Sequence, residues 1–402
     1  MMALGGVTYL DRVCISILAP SIMKDLAIDT VQMSYVFSAF TFAYAIFEMP
    51  TAWWADRMGS RKVLTRIVVW WSAFTMLTAA AFSYPMMLAV RWLFGMGEAG
   101  AWPNVARIFS RWIPTEERGR TQGVFFAGAH IAGGLTPVVV AWIATLMPWR
   151  WVFVFSGLVG LAWATAFYRW FRDEPREHPS VTPEERDFIE SRRMAISAGH
   201  GAWHKVFQAP GLIPLCLQYF ANNCGFYFFI TWLPEYLRNA HGMQAGELAL
   251  FAGLPLTLSA VADISGGVTT DWLARKFGVR IGYGLSGGVA YAIGAVVMGF
   301  GAAASNGQVA GILIAVAGAL SMITLAPSWA TAIALGGENA GLMGAVMNTA
   351  GQVGGILCPI VVAYLVRQYG DWSLPIYVLS GIYGMAAVCW LFIRPDGRTS
   401  AA

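Results

Sequence analysis

The chain has 402 residues, of which 57% are hydrophobic, 14% aromatic and only 12% charged, with a mean hydropathy of +0.57. Soluble domains are nearer a quarter charged, so this composition excludes a soluble globular fold, an unfolded chain and a disulfide scaffold. The formal net charge of +4 is not gathered on a polar domain, which excludes a nucleic-acid binder.

A helix needs about 20 apolar residues to cross the ~30 Å hydrocarbon layer. Twelve such stretches follow in order: 2–22, 31–53, 63–83, 85–109, 121–147, 150–171, 207–237, 246–270, 280–303, 307–334, 341–367 and 373–393. The expected fold is an all-α integral membrane protein of twelve transmembrane helices. They divide into two six-helix halves, residues 1–171 and 207–402, joined by a polar loop at 172–206. Cys14, Cys216, Cys224, Cys358 and Cys389 lie singly in apolar stretches and read as packing residues. The first apolar run has no basic stretch before it and contains Asp11 and Arg12, so a membrane span rather than a cleavable leader is expected there.

Charge predicts the orientation. Of the 26 Lys and Arg, nineteen lie in the loops after spans two, four, six and eight, in the central loop or in the C-terminal tail. Only Lys24, Arg150, Arg238 and Arg367 lie on the opposite side, which puts both termini in the cytoplasm of a cell whose inner membrane holds the chain. In the central loop, Thr182-Pro183-Glu184-Glu185 is a capping box that should start a short helix running to about Arg193. His200 and His204 have i, i+4 spacing but no third ligand, so no metal site is expected.

The halves repeat. Ala129–Trp142 (AHIAGGLTPVVVAW) matches Gly351–Tyr364 (GQVGGILCPIVVAY) at a displacement of 222, pairing Pro137 with Pro359, Gly133 with Gly355 and His130 with Gln352. Asp56-Arg57 and Arg61-Lys62 after span two echo Asp271 and Arg275-Lys276 after span eight, and Glu48 and Asp263 each stand eight residues before their loop aspartate. Two matching six-helix halves are the pattern of a transporter that binds its substrate between repeats.

Three arginines, Arg12, Arg91 and Arg107, fall inside spans, as do Asp11 and Glu98. Each mid-membrane charge costs about 2.5–3.5 kcal/mol on insertion scales, so Asp11, Arg12, Arg91 and Glu98 require partners or a water-filled cavity. Arg91 and Glu98 are two turns apart and share a face; Tyr9 and Arg12 share another. Arginine suits an anion because its planar fork meets a carboxylate bidentately. Two readings of these charges stand: an anion and proton site in which protonating Glu98 releases an arginine, or a structural ion pair between spans one and four. His130 is either a ligand or a hydrogen-bonded core histidine. Asp56, Arg57, Arg61, Lys62 and Asp271 form either a cytoplasmic gate or a purely topogenic basic surface. Gly282-x-Gly284-x-x-Gly287 fits a dinucleotide fingerprint, but it lies inside a hydrophobic span and carries no such role.

The loop Ala55–Lys62 resembles the signature loop of the major facilitator superfamily. Tyr9-Leu10-Asp11-Arg12, the stretch Arg91–Asn104 with Glu98, and span eleven with Asn348 and Pro359 resemble the anion:cation symporter family, which includes galactonate, glucarate and hexuronate carriers and sialin. Ala52 departs from the family's signature glycine, and Glu48 and His130 stand where members more often have glutamine. The resemblance implies a proton-coupled importer of a small organic anion, typically a sugar acid, working as a monomer without cofactor and without enzymatic activity. It implies protonation at Asp11 and Glu98 and substrate contact from Arg12, Arg91, Tyr9, Tyr44, His130, Tyr227, Ser328, Asn348 and Gln352. A proton/drug antiporter of the same fold is the alternative, although paired intramembrane arginines suit an anion better. Only eight residues precede Tyr9, so the natural start is expected upstream or trimmed.

Overall fold

The computed structural model describes residues 1–113, 118–192, 204–336 and 340–394, except for the side chains of 49, 52–53, 55–57, 106, 110, 118–120, 122–123, 192, 204–205 and 340–342. Among the described residues seventeen α-helices follow one another: α1 (Met2–Leu26), α2 (Thr30–Met58), α3 (Ser60–Thr78), α4 (Tyr84–Glu98), α5 (Ala101–Trp112), α6 (Arg118–Leu146), α7 (Trp149–Trp170), α8 (Pro183–Arg192), α9 (His204–Phe207), α10 (Leu212–Thr231), α11 (Leu233–His241), α12 (Ala245–Phe277), α13 (Val279–Ala303), α14 (Gly307–Ile323), α15 (Leu325–Gly336), α16 (Ala340–Tyr369) and α17 (Leu374–Phe392). There is no strand among the described residues. Large apolar side chains face outward along many of these helices, among them Val261, Ile264 and Val268 on α12 and Val296 and Phe300 on α13. A soluble protein would hide such a surface; here lipid covers it. The chain divides into two compact units, residues 1–132 with 142–197 and residues 133–141 with 198–402.

Nine segments among the described residues are long and apolar enough to cross a membrane. The other three spans miss that measure for physical reasons. The first turns of α3 carry Arg61, Lys62 and Arg66. The hydropathy of α10 is lowered by Gln218, Asn222 and Asn223. The fourth span is not one helix but two, α4 and α5.

Three of the expected spans, 85–109, 207–237 and 307–334, each consist of two consecutive helices, α4 and α5, α10 and α11, and α14 and α15. Pro103 lies in the first turn of α5, Pro234 in that of α11 and Pro327 in that of α15. A proline has no N–H and its ring collides with the carbonyl four residues back, so a helix ends there and a new one starts. In the fourth span Gly100 completes the break with φ +86, and a side chain there would meet Thr51 at 2.6 Å. Glu98 is therefore the last residue of α4, at a helix end in the middle of the span.

Close glycine contacts set the helix spacing within the first unit. A Cβ on Gly95 would lie 2.2 Å from the Phe40 carbonyl oxygen, so α4 touches the α2 backbone. Backbone cannot step aside as a flexible side chain can. Gly95→Ala should cost about 1–3 kcal/mol and lower the melting temperature in detergent by several degrees; an unchanged melting temperature would contradict this packing. On the basic side, the Thr182 hydroxyl accepts from the Glu185 N–H (3.2 Å) at the start of α8, as the capping box predicts.

Candidate functional site

Asp11, Arg12, Arg91 and Glu98 converge where α1 and α4 face each other. Arg12 Nε donates to Glu98 Oε1 at 2.5 Å, with Glu98 wholly buried. The Arg12 guanidinium sits over the rings of Phe40 (5.2 Å) and Tyr44 (5.0 Å), both from α2. Arg91, only 2% exposed, lies over Phe94 (4.4 Å) and Phe40 (5.5 Å) and faces both Asp11 and Glu98. Aromatic faces attract a cation without adding a charge of their own. Asp11 is 1% exposed, and neither of its oxygens closes a hydrogen bond; Glu98 Oε2 is likewise open. Two arginines thus face two carboxylates with hydrogen-bonding capacity unspent.

Beside this cluster, Gly5 lets α1 approach Ala129 on α6, because a Cβ on Gly5 would meet the Ala129 Cβ at 2.6 Å. One turn on, the Tyr9 ring meets His130 edge-on, centroids 5.6 Å apart, both buried. The second unit repeats the arrangement without charge. Gly351, Gly354 and Gly355 on α16 each lie within Cβ contact of α10, at Tyr219, Phe220 and Tyr227. That approach carries the Tyr227 hydroxyl to Gln352 Oε1 (3.3 Å). A tyrosine thus partners His130 in one unit and its repeat counterpart Gln352 in the other. Ser328 donates to Gln218 Oε1 (3.2 Å), and Asn348 is half-buried on α16.

The sequence reading did not single out Gln218 or Asn222. Asn222 Nδ2 donates to the Ser321 carbonyl (2.9 Å), and Tyr291 donates to the Gln218 carbonyl (3.0 Å). The signal was available: Tyr9-x-x-Arg12-x-Cys14 recurs as Tyr219-x-x-Asn222-x-Cys224, displaced by 210. The repeat replaces the arginine with a neutral amide.

Of the expected gate residues, Asp56 and Arg57 have side chains outside the described residues, as do His200 and His204. Arg61 is held by the end of α7: its Nε and Nη2 donate to the Tyr168 carbonyl (2.9 and 2.6 Å), and its guanidinium covers the Tyr168 ring. Its backbone N–H donates to Asp173 Oδ1 (3.0 Å), and Arg111 pairs with Glu174. The acids that brace this loop, Asp173 and Glu174, were not foreseen. Lys62 and Asp271 are exposed.

The description of the family model that matches, over residues 1–359 and 215–402, is Major Facilitator Superfamily. The chain is 34% identical over 398 residues to the probable sulfoacetate transporter SauU of Cupriavidus necator, covering 97% of this chain and 91% of the relative. It is 29% identical to the probable galactarate/D-glucarate transporter GarP of Escherichia coli K12, covering 97% and 92%, and 28% identical to the hexuronate transporter of Bacillus subtilis 168, covering 97% and 92%. Among solved structures, a bacterial homolog of the human lysosomal transporter Spinster superposes with a TM-score of 0.80 at 16% identity, over 100% of this chain and 97% of the other. Twelve spans in two matching halves, the signature loop and this agreement along the whole length carry one conclusion: the chain is a multi-pass membrane transporter, not an enzyme, and belongs to the Major Facilitator Superfamily.

Proposed function

We propose that this protein imports a small carboxylate-bearing organic anion together with protons, by alternating access, and that its substrate class is the sugar acids. The observation that carries this reading is the buried cluster of two arginines and two carboxylates on α1 and α4. Arg12 can hold either Glu98 or a substrate anion bidentately, but not both at full strength. Protonating Glu98 cancels its charge and frees Arg12, so proton and anion enter as a pair. Asp11 beside Arg91 supplies a second proton site by the same logic. One copy of the chain carries every group this requires, which supports a working monomer.

The second unit carries neutral amides and hydroxyls, Gln218, Asn222, Ser328, Asn348 and Gln352, groups of the kind that recognise hydroxyls. The named relatives carry galactarate, glucarate, hexuronate or sulfoacetate, all small organic anions. The excess of basic residues on one side supports cytoplasmic termini. Asp56, Arg57, Arg61, Lys62 and Asp271 then lie at the cytoplasmic end, where Arg61 braces the first half.

A thermal-shift panel on the purified protein tests the substrate class. Hexonates, hexuronates, aldarates, sulfoacetate, simple dicarboxylates and lipophilic cations should be compared at equal ionic strength. One of the sugar acids should raise the melting temperature by several degrees, as a ligand present at about 100 times its Kd adds ~2.7 kcal/mol. A response to sulfoacetate alone would move the assignment to short sulfonated acids. A response to lipophilic cations alone would overturn the anion reading.

A further inference from the structure

Asp11 has a second set of neighbours that the arginine–carboxylate cluster does not use. Trp71 and Thr75 stand one turn apart on α3 and share a face. Both are buried, at 0% and 1% exposure, and both turn toward the Asp11 carboxylate. The indole Nε1, the Thr75 hydroxyl and both Asp11 oxygens each lack a closed hydrogen bond. Buried polar atoms are nearly always partnered, and a span could hold phenylalanine and valine at these positions at no such cost. An indole N–H and a hydroxyl beside one buried carboxyl fit a contact that is strongest with the charged carboxylate.

We infer that Trp71 and Thr75 are positioning residues for Asp11, donating the indole N–H and the hydroxyl to its two oxygens once the carboxyl has released its proton to water. This rests on the reading of Asp11 as a proton site. The other groups facing Asp11 are Arg91 and Glu98 on α4 and Cys14 on its own helix. Arg91 supplies charge to the anion; Trp71 and Thr75 supply direction, holding the carboxylate against α3 and away from Glu98. An anion held by two neutral donors needs no second arginine, which leaves Arg91 free to turn to substrate. Trp71 and Thr75 contact neither substrate nor Glu98 in this scheme; they act through Asp11.

The test uses the full-length protein in liposomes, with a substrate identified by the panel above. Gradient-driven uptake is measured as a function of pH for Trp71→Phe, Thr75→Val and Thr75→Ser. Removing a donor withdraws support from the carboxylate and none from the neutral acid, so Asp11 keeps its proton to higher pH. The uptake profile of Trp71→Phe and of Thr75→Val should move to the alkaline side by ~1 pH unit, with substrate exchange at acidic pH retained. Thr75→Ser, which keeps a hydroxyl, should restore the original profile. An unmoved profile, with uptake lowered equally at every pH, would assign both residues to packing and overturn the inference. Asp11→Asn separates the two levels. If it abolishes accumulation while the donor variants keep the original profile, only the inference fails. If it accumulates substrate normally, Asp11 is no proton site and both readings fall.

Discussion

Arg12→Lys should weaken substrate binding by about 10- to 100-fold, ~1.4–2.8 kcal/mol, while the protein remains folded. Arg12 sits only 8% exposed, with its planar head over Phe40 and Tyr44 and its Nε against Glu98. An ammonium has one charged point in place of a fork, and it cannot meet two carboxylate oxygens in parallel. It keeps the positive charge, so Glu98 retains a partner and the fold is not burdened with an unpaired anion. Loss of binding in Arg12→Lys therefore reports geometry rather than charge. Calorimetric titration of the purified variant decides the matter; an unchanged Kd would remove Arg12 from the anion site.

The same geometry explains why the two arginines are not equivalent. Arg12 is tied to Glu98 by a direct hydrogen bond, whereas Arg91 reaches its carboxylates through space and is seated mainly on Phe94. An arginine already bonded to a carboxylate exchanges one anion for another when that carboxylate is neutralised. An arginine held on an aromatic ring is available in either protonation state. In the proposed cycle the exchange of one anion for another therefore falls to Arg12 and Glu98, with Asp11 as the second proton site, and Arg91 adds attraction for the anion.

Much of this architecture was legible in the chain itself. The twelve apolar stretches, the central polar loop and the 222-residue repeat follow from helix length and internal symmetry, which composition and spacing express directly. Pairing of His130 with Gln352 across the repeat reappears as the matching contacts Tyr9–His130 and Tyr227–Gln352. The helix breaks were less readable. Pro103, Pro234 and Pro327 end helices, yet Pro20, Pro50, Pro137, Pro255 and Pro359 lie within unbroken ones. A proline only removes one bond and adds one clash; whether the helix gives way depends on the neighbouring backbone, such as Gly100 packed on Thr51.

Partner choice was the least legible feature. Arg91 and Glu98 share a face of one span, but sequence spacing could not say that Glu98 bonds Arg12 from another helix. Trp71 and Thr75 look like ordinary residues of an apolar span until α3 is placed beside Asp11. Gln218 and Asn222 left a trace, because they depress the hydropathy of α10, but a lowered average does not identify what the amides bond. Long-range contacts between helices are fixed by packing, and packing is not periodic along a chain.

The central claim is that Glu98 couples proton to anion, and Glu98→Gln tests it most directly. Glutamine keeps nearly the shape of the protonated acid and cannot release a proton. Arg12 would then stay available to the anion, so the loaded carrier should still exchange labelled for unlabelled substrate across a liposome at close to the original rate. The empty carrier could no longer discharge, so accumulation driven by an inward proton gradient should disappear. Both activities are measured on one reconstituted preparation, which removes differences in folding and insertion. Exchange retained with accumulation lost is the predicted result. Accumulation retained in Glu98→Gln, or both activities reduced in parallel, would contradict the account and leave Glu98 as a brace between α1 and α4.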